Sequence, residues 1–192
     1  YTVSLTVTDN EGATDSTSQS VSVSTGSSGV NKYALVIGIS DYEGAQNDLQ
    51  YCDDDANDWK NFLQSQGYTV TTLIDNQATA ANIETELTNL INAEDGDDYV
   101  VLTYSGHGAR DPTYGSCIIS QDLYYVTHGY FEQFFNDAES QHIYVTFDAC
   151  EIGDFQGLVT SNRVGAFGSN YQYSYDGDSF MQNGVFTYYQ ME

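Results

Sequence analysis

The sequence has few basic residues. Its 192 residues include 4 Lys plus Arg against 28 Asp plus Glu, which gives a formal net charge of -24 at pH 7. The four cations are scattered along the chain, at Lys32, Lys60, Arg110 and Arg163. This balance argues against a nucleic-acid partner and favours cationic partners, either metal ions or basic side chains of a polypeptide. A solvated acidic surface suited to salty surroundings is the alternative for most of the carboxylates.

Long apolar runs are also lacking. The longest run, residues 34–39, has the length of a buried strand and not the ~20 residues of a membrane span. We therefore predict no insertion into a membrane. No signal peptide is visible, and residues 1–7 already have a strand-like pattern, so the chain is expected to begin inside a domain.

Cysteine is scarce, and its number is odd. Cys52, Cys117 and Cys150 leave one thiol over whatever pairing is proposed. Whether Cys52 pairs with Cys117 stays open, because a disulfide needs Cα atoms within about 7 Å. Cys117 lies in a short apolar segment and is most simply a buried thiol.

The chain divides into two unequal parts. Residues 1–24 alternate apolar and small polar residues around a turn at residues 9–12, which predicts a β-hairpin, and residues 25–30 have a linker composition. The hairpin segment resembles the last two strands of a PKD-type immunoglobulin-like domain, a module of large cell-surface and secreted proteins. From that resemblance and the few lysines we expect an extracellular or cell-surface location. Residues 31–192 form the principal domain.

Strand and helix patterns alternate through the principal domain, which predicts an α/β fold with a mostly parallel sheet flanked by helices. The predicted strands are residues 32–39, 68–74, 99–104, 117–119, 142–147, 164–167 and 185–189. The predicted helices are residues 53–66, 79–92 and 128–136. The Gly- and Tyr-rich segment between the last two strands has no predicted place.

Two side chains suited to covalent catalysis follow predicted strands. His107 lies in Ser105-Gly106-His107-Gly108 after one strand, and Cys150 ends Asp148-Ala149-Cys150 after another. Parallel neighbouring strands would bring these loops together at one edge of the sheet, where the imidazole could activate the thiol. The N–H groups of Gly108 and Cys150 would then hold an oxyanion. Taken singly, a Gly-His-Gly is usually a turn and a lone Cys is usually a core thiol, and His128 and His142 have no partner motif.

The two motifs, 43 residues apart (150 minus 107), resemble the histidine and cysteine motifs of caspase-fold peptidases. This group includes caspases, metacaspases, paracaspases and legumain. The resemblance spans roughly residues 31–190, including the opening Tyr33-Ala34-Leu35-Val36-Ile37-Gly38-Ile39 and the late Gly184-Val185-Phe186-Thr187. It implies a caspase-like (haemoglobinase-type) fold and a cysteine endopeptidase in which His107 and Cys150 are the catalytic pair.

The resemblance also implies a specificity. The pocket of metacaspases, which cut after Arg or Lys, is matched by Cys52, Asp55, Ser105 and Asp148. We therefore expect a polypeptide substrate cleaved after Arg, and second after Lys. Asp55 has an alternative role as an acidic residue at a helix N-terminus. The sequence after Cys150 is closer to legumain, so the branch of the group stays open.

The sequence also bears on cofactors and on rival functions. No cofactor is required, but metacaspases often need calcium, for which only Asp122 loosely matches. The acidic run of residues 94–98 is either a second calcium candidate or a solvated loop. The rival functions are a non-catalytic caspase-fold module for binding or assembly and an adhesive surface protein. The oligomeric state stays open.

Overall fold

The computed structural model describes residues 2–8, 10–20 and 29–192. The first strands, β1 (Thr2–Thr8) and β2 (Thr14–Ser20), pair antiparallel, which confirms the hairpin pattern. Most of the linker predicted at residues 25–30 lies outside the described residues.

The principal domain is built on a five-stranded parallel sheet. Its strands lie in the order β10-β9-β5-β3-β4. The strands are β3 (Lys32–Gly38), β4 (Thr69–Ile74), β5 (Tyr99–Ser105), β9 (His142–Asp148) and β10 (Arg163–Phe167). The α/β class and the mostly parallel sheet are therefore confirmed.

In the described part of the chain, four α-helices accompany the sheet: α1 (Cys52–Ser65), α2 (Ala80–Ala93), α3 (His128–Asn136) and α4 (Val185–Met191). Their ends follow local chemistry. The side chain of Thr79 accepts the N–H of Asn82 at the start of α2, and Thr127 caps α3 in the same way. Helix α1 ends before Gly67, whose φ of 84° suits glycine. Among the described residues, no helix is long and apolar enough to cross a membrane.

Apolar side chains cover both faces of the sheet. On one face, Ala56, Trp59 and Leu63 of α1 pack against Ala34 and Val36 of β3. The other face carries the larger core under α2 and α3. Its largest fully buried members include Leu35, Ile37, Ile83, Leu87, Leu102, Phe131, Phe147 and Phe155. Burial on both sides explains why the strands are near-continuous apolar runs.

A small antiparallel sheet stands at the carboxyl edge of the large one. It consists of β6 (Gly108–Asp111), β7 (Gly115–Ile119) and β8 (Tyr125–Thr127), in that order. The short strand predicted at residues 117–119 is the end of β7. The small sheet therefore begins directly after His107.

One predicted element is wrong. Residues 185–189, predicted as a strand, belong to helix α4. The backbone N–H of Thr187 and its hydroxyl both donate to Asp148 at 3.0 Å, which satisfies a first-turn donor of the helix. Tertiary contact with a strand end thus overrides local propensity.

Candidate active site

His107 and Cys150 follow the carboxyl ends of two adjacent parallel strands. Ser105 at the end of β5 is in register with Asp148 at the end of β9, and the N–H of Gly106 continues the pairing to the Asp148 carbonyl at 3.2 Å. His107 lies two residues after Ser105, and Cys150 lies two residues after Asp148. Both line one cavity of about 110 Å³ at this edge. The structure thus brings together the two residues that the motifs single out.

Gly108 lets the two loops touch. A Cβ on this residue would lie 2.1 Å from the carbonyl oxygen of Cys150 and 3.1 Å from the Cβ of Ala149. No side chain can be accommodated at the first of these distances, so only glycine allows this approach. The backbone N–H groups of Gly108 and Cys150 therefore belong to neighbouring segments of chain.

A carbonyl oxygen fixes the protonation of the His107 ring. Nε2 of His107 lies 2.7 Å from the carbonyl oxygen of Asn47. A carbonyl oxygen only accepts hydrogen bonds, so Nε2 carries the proton in this contact. In the neutral ring, Nδ1 is then the basic nitrogen.

Cys150 is held as a protonated thiol. Its Sγ donates to the carbonyl oxygen of Ser174 at 3.5 Å. Burial raises the pKa of the Cys150 thiol, and the nearby charges of Glu151 and Asp148 raise it further. A thiolate at this position therefore needs a proton acceptor close by.

The floor of the cavity carries a carboxylate. Asp148, 7% exposed, accepts from the Ser174 hydroxyl at 2.5 Å through Oδ1 and from Thr187 through Oδ2. Burial raises its pKa, and the charge of Asp176 adds to the rise. Cys52, Ser105 and Asp148, three of the four residues matched to the metacaspase pocket, line the cavity.

Asp55 lies behind the cavity and does not line it. Its carboxylate is fully buried and accepts from the Ser105 hydroxyl at 2.5 Å and from the backbone N–H of Gly184 at 2.9 Å. Burial raises its pKa to about 7, although the hydrogen bond from Ser105 opposes the rise. Asp55 also lies in the first turn of α1, which is the position of its alternative role, whereas direct binding of a substrate by this buried carboxylate stays a prediction.

Asp176 supplies a second carboxylate at the cavity. It is exposed, and its Oδ2 accepts the backbone N–H of Gln50 at 2.7 Å. No Lys or Arg is among the lining residues. Within the described part of the chain, the cavity is therefore acidic and has no cation of its own.

The calcium candidates lie in two places. Asp122 accepts from the N–H of Ala80 and the hydroxyl of Ser120, at 2.9 and 2.7 Å, which ties its loop to the start of α2. Carboxylate oxygens of Asp95, Asp97 and Asp98 lie within 4.8 Å of one another. Both oxygens of Asp98 already accept backbone N–H groups, from Asn31 and Asp95.

Cys52 lines the same cavity as His107 and Cys150, whereas Cys117, His128 and His142 lie outside it and have partners elsewhere in the fold. All three cysteines are free, which answers the open question of pairing. Cys117 is fully buried and donates to the Gly115 carbonyl at 3.2 Å. Nδ1 of His128 lies 3.2 Å from the Ser116 carbonyl, and His142 stacks on Tyr99 with ring centroids 4.6 Å apart.

A thiol and an imidazole at the carboxyl edge of a parallel sheet, beside an acidic cavity, define a caspase-like class of protein. The caspase-domain model of peptidase family C14 matches residues 31–183, which is more than half of the chain. The chain belongs to the caspase-domain family, and its fold is the caspase fold.

Two curated relatives are plant metacaspases. The chain is 31% identical over 116 residues to metacaspase-4 of Arabidopsis thaliana, with 51% of this chain and 28% of that protein covered. It is 31% identical over 147 residues to metacaspase-7 of the same plant, with 67% of this chain and 36% of that protein covered. The chain thus spans roughly a third of these relatives' length.

Solved structures share the fold. The Drosophila initiator caspase Dronc superposes with a TM-score of 0.58 at 10% identity, covering 82% of this chain and 61% of that one. Protein GSU0716 from Geobacter sulfurreducens superposes with a TM-score of 0.55 at 22% identity, covering 62% of this chain and 50% of that one. At these identities the likeness concerns the fold alone.

Several residues around the cavity carry no signal in the sequence pattern. Asn47, Ser174 and Asp176 contact His107, Cys150 and the cavity from loops whose course cannot be read from periodicity. The motif that begins at Gly184 resembles the family, but the sequence does not predict that Gly184 lies beside the buried carboxylates of Asp55 and Asp148. The segment after β10 brings in Ser174, Asp176 and Gly184, while Asn47 comes from the segment between β3 and α1.

Proposed function

We propose that this domain is a cysteine endopeptidase that cleaves polypeptides after Arg, and second after Lys. One observation supports it above the others: the cavity lined by His107 and Cys150 is also lined by Asp148 and Asp176, with no basic side chain of the described residues among them. A nucleophile, a base and an acidic recognition pocket are thus adjacent. The metacaspase relatives support the same specificity.

The proposed reaction begins at Cys150. Its thiol proton passes to Nδ1 of His107 as Sγ bonds to the scissile carbonyl carbon, and the N–H groups of Gly108 and Cys150 stabilise the oxyanion. Collapse breaks the C–N bond while His107 gives the proton to the leaving amine. Water then attacks the thioester carbon and gives a proton to His107. The C–S bond breaks as the acid product forms, and His107 returns the proton to the Cys150 sulfur. The Asn47 carbonyl accepts from Nε2 of His107 and so keeps Nδ1 free to take the proton in this reaction.

The acidic groups account for the proposed choice of substrate. A guanidinium entering the cavity would meet the carboxylates of Asp148 and Asp176, which can accept charge-assisted hydrogen bonds. Asp55 contributes indirectly, because its carboxylate accepts from the hydroxyl of Ser105, which lines the cavity. An acidic substrate side chain would meet like charge here and be rejected.

The first experiment measures turnover of fluorogenic peptides that end in Arg, Lys, Asp or Asn before the reporter group. We expect the order Arg, then Lys, with little or no cleavage after Asp. Cys150→Ala should abolish turnover, and His107→Ala should lower it at least about a hundred-fold, because a general acid–base is lost. Cys117→Ala is the matched control, since it removes a buried thiol outside the cavity.

Two results would reject the proposal. Equal turnover by the Cys150→Ala variant would remove this thiol from the mechanism, and preferred cleavage after Asp would overturn the specificity. A folded chain that cleaves none of the four substrates, but binds basic peptides, would favour the rival function of a non-catalytic binding module.

Calcium activation and an extracellular location stay predictions. The proposed chemistry uses side chains and backbone groups of the protein alone, so we expect turnover to persist in a chelator. Any rise in turnover on adding calcium would point to the groups at Asp122 or at Asp95, Asp97 and Asp98. Asn variants at Asp122 and Asp97 would tell the two places apart. Recovery of the protein from the culture medium of its native cells would test the location.

A further inference from the structure

Two buried tyrosines enclose the backbone of His107. The backbone N–H of His107 donates to the phenol oxygen of Tyr42 at 2.7 Å, and the phenol of Tyr104 donates to the His107 carbonyl at 2.7 Å. Tyr42 is 5% exposed and Tyr104 2%. The two phenol oxygens are 3.4 Å apart, so the hydrogen bonds run from the His107 N–H through both hydroxyls to the His107 carbonyl. The Tyr104 hydroxyl also lies 3.0 Å from the Ile119 carbonyl oxygen.

Tyr42 also contacts the imidazole itself. The Tyr42 and His107 rings lie 4.7 Å apart between centroids, at 44°. The loop that begins at Tyr42 ends at Asn47, whose carbonyl oxygen lies against Nε2 of His107. One loop therefore contacts the backbone N–H, the ring face and one ring nitrogen of the same residue.

Gly106 shows how closely the phenols approach. A Cβ at this position would lie 2.6 Å from the hydroxyl of Tyr42 and 2.6 Å from that of Tyr104. Its φ of 159° is also a value that residues with a side chain rarely adopt. The glycine before His107 is therefore required both by its backbone conformation and by the space that the two hydroxyls occupy.

We propose that Tyr42 and Tyr104 are positioning residues for His107: their phenol hydroxyls set the orientation of the imidazole toward Cys150. Neither phenol lines the cavity, so neither touches the substrate. This inference rests on the proposed function only for its effect on turnover. Its effect on the geometry of His107 is independent of any substrate.

Tyr42→Phe and Tyr104→Phe test it, because each removes one hydroxyl and keeps the ring. The matched control is Tyr144→Phe, which removes a phenol that accepts from Gln190 at 2.8 Å on the other side of the sheet. Hydrogen exchange of the His107 backbone amide is measured by NMR, together with the rate of Cys150 alkylation by iodoacetamide as a function of pH.

We expect exchange at His107 to speed up at least about ten-fold in Tyr42→Phe, since its hydrogen-bond acceptor is gone. The pH profile of Cys150 alkylation should shift in both variants and stay unchanged in Tyr144→Phe. With Arg peptides, kcat should fall roughly ten-fold and KM stay within about two-fold, because misplacing a catalytic group affects chemistry more than binding.

The outcomes separate this inference from the proposed function. Unchanged exchange and an unchanged alkylation profile in both folded variants would overturn the positioning role. A shift in both readouts in a chain that cleaves no peptide would support the positioning role and reject the peptidase. Losses in kcat that Tyr144→Phe reproduces would also overturn it, because the cause would then be general destabilisation.

Discussion

Gly184 donates its backbone N–H to the buried carboxylate of Asp55 at 2.9 Å, and this hydrogen bond joins the start of α4 to the first turn of α1. A Cβ on Gly184 would lie 2.9 Å from Oδ2 of Asp55 and 2.5 Å from Oδ2 of Asp148. The glycine therefore fills the space between the two buried carboxylates. The late part of the chain closes the rear of the cavity.

Gly184→Ala should damage both the fold and the cavity. The added methyl group cannot fit between two carboxylates that are already hydrogen-bonded, so we expect a loss of about 1–3 kcal/mol in the free energy of unfolding. Turnover of Arg peptides should fall as Asp148 is displaced. Urea titration and steady-state kinetics measure the two effects.

Gly129→Ala provides the control for this change. Gly129 lies in α3, and a Cβ there would meet nothing within 4 Å. Alanine should leave stability unchanged or raise it by up to about 1 kcal/mol, because it favours a helix more than glycine does. Equal stability of Gly184→Ala and the wild type would contradict the close packing at Gly184.

Asp55 should make the protein less stable as the pH rises. Its pKa is about 7 in the folded chain against an ordinary 3.8, so the folded state holds this proton more tightly than the unfolded state. The stabilisation is complete below about pH 4 and is lost as the pH rises through 7. The loss is on the order of 4 kcal/mol, since the pKa differs by about 3 units (7 minus 3.8) and each unit corresponds to about 1.4 kcal/mol.

Asp55→Asn isolates this effect, because an amide cannot titrate and can still bond to Ser105 and Gly184. Between pH 4 and 7.5, the free energy of unfolding of the wild type should fall relative to this variant. Asp137→Asn removes a carboxylate at the exposed end of α3 and should not change the slope. Parallel pH curves for wild type and Asp55→Asn would show that Asp55 does not titrate in this range.

Glu151 should slow the reaction of Cys150 with alkylating agents. Burial is the largest cause of the raised pKa of Cys150, and the charge of Glu151 adds to it. Glu151→Gln removes that charge, so the pKa should fall and alkylation by iodoacetamide near pH 7 should become roughly two- to three-fold faster. Mass spectrometry of the Cys150 peptide gives the rate. Glu86→Gln on α2 is the control, and an unchanged rate in Glu151→Gln would contradict the electrostatic cause.

The sequence pattern predicts the elements that have a clear hydrophobic period and the residues that follow the ends of the strands. The parallel strands, the three longer helices and the positions of His107 and Cys150 after β5 and β9 were all read correctly, because local pattern and burial agree there. It failed for α4, whose residues favour a strand but whose first turn is bound to Asp148. Contacts made by the segment after β10, which has no periodicity, could not be predicted at all.

Asp176 should decide between basic and neutral substrates. Asp176 is exposed at the cavity, and its carboxylate accepts the backbone N–H of Gln50. Asp176→Asn keeps that acceptor and removes the charge, so stability should change by less than about 0.5 kcal/mol. The ratio of kcat/KM for Arg over citrulline peptides should fall about ten-fold, because one charge-assisted contact is lost. Asp178→Asn, in the same loop but outside the cavity, is the matched control. An unchanged ratio in Asp176→Asn would contradict a role for Asp176 in substrate choice. Asp148 would then be the carboxylate lining the cavity that binds the basic side chain.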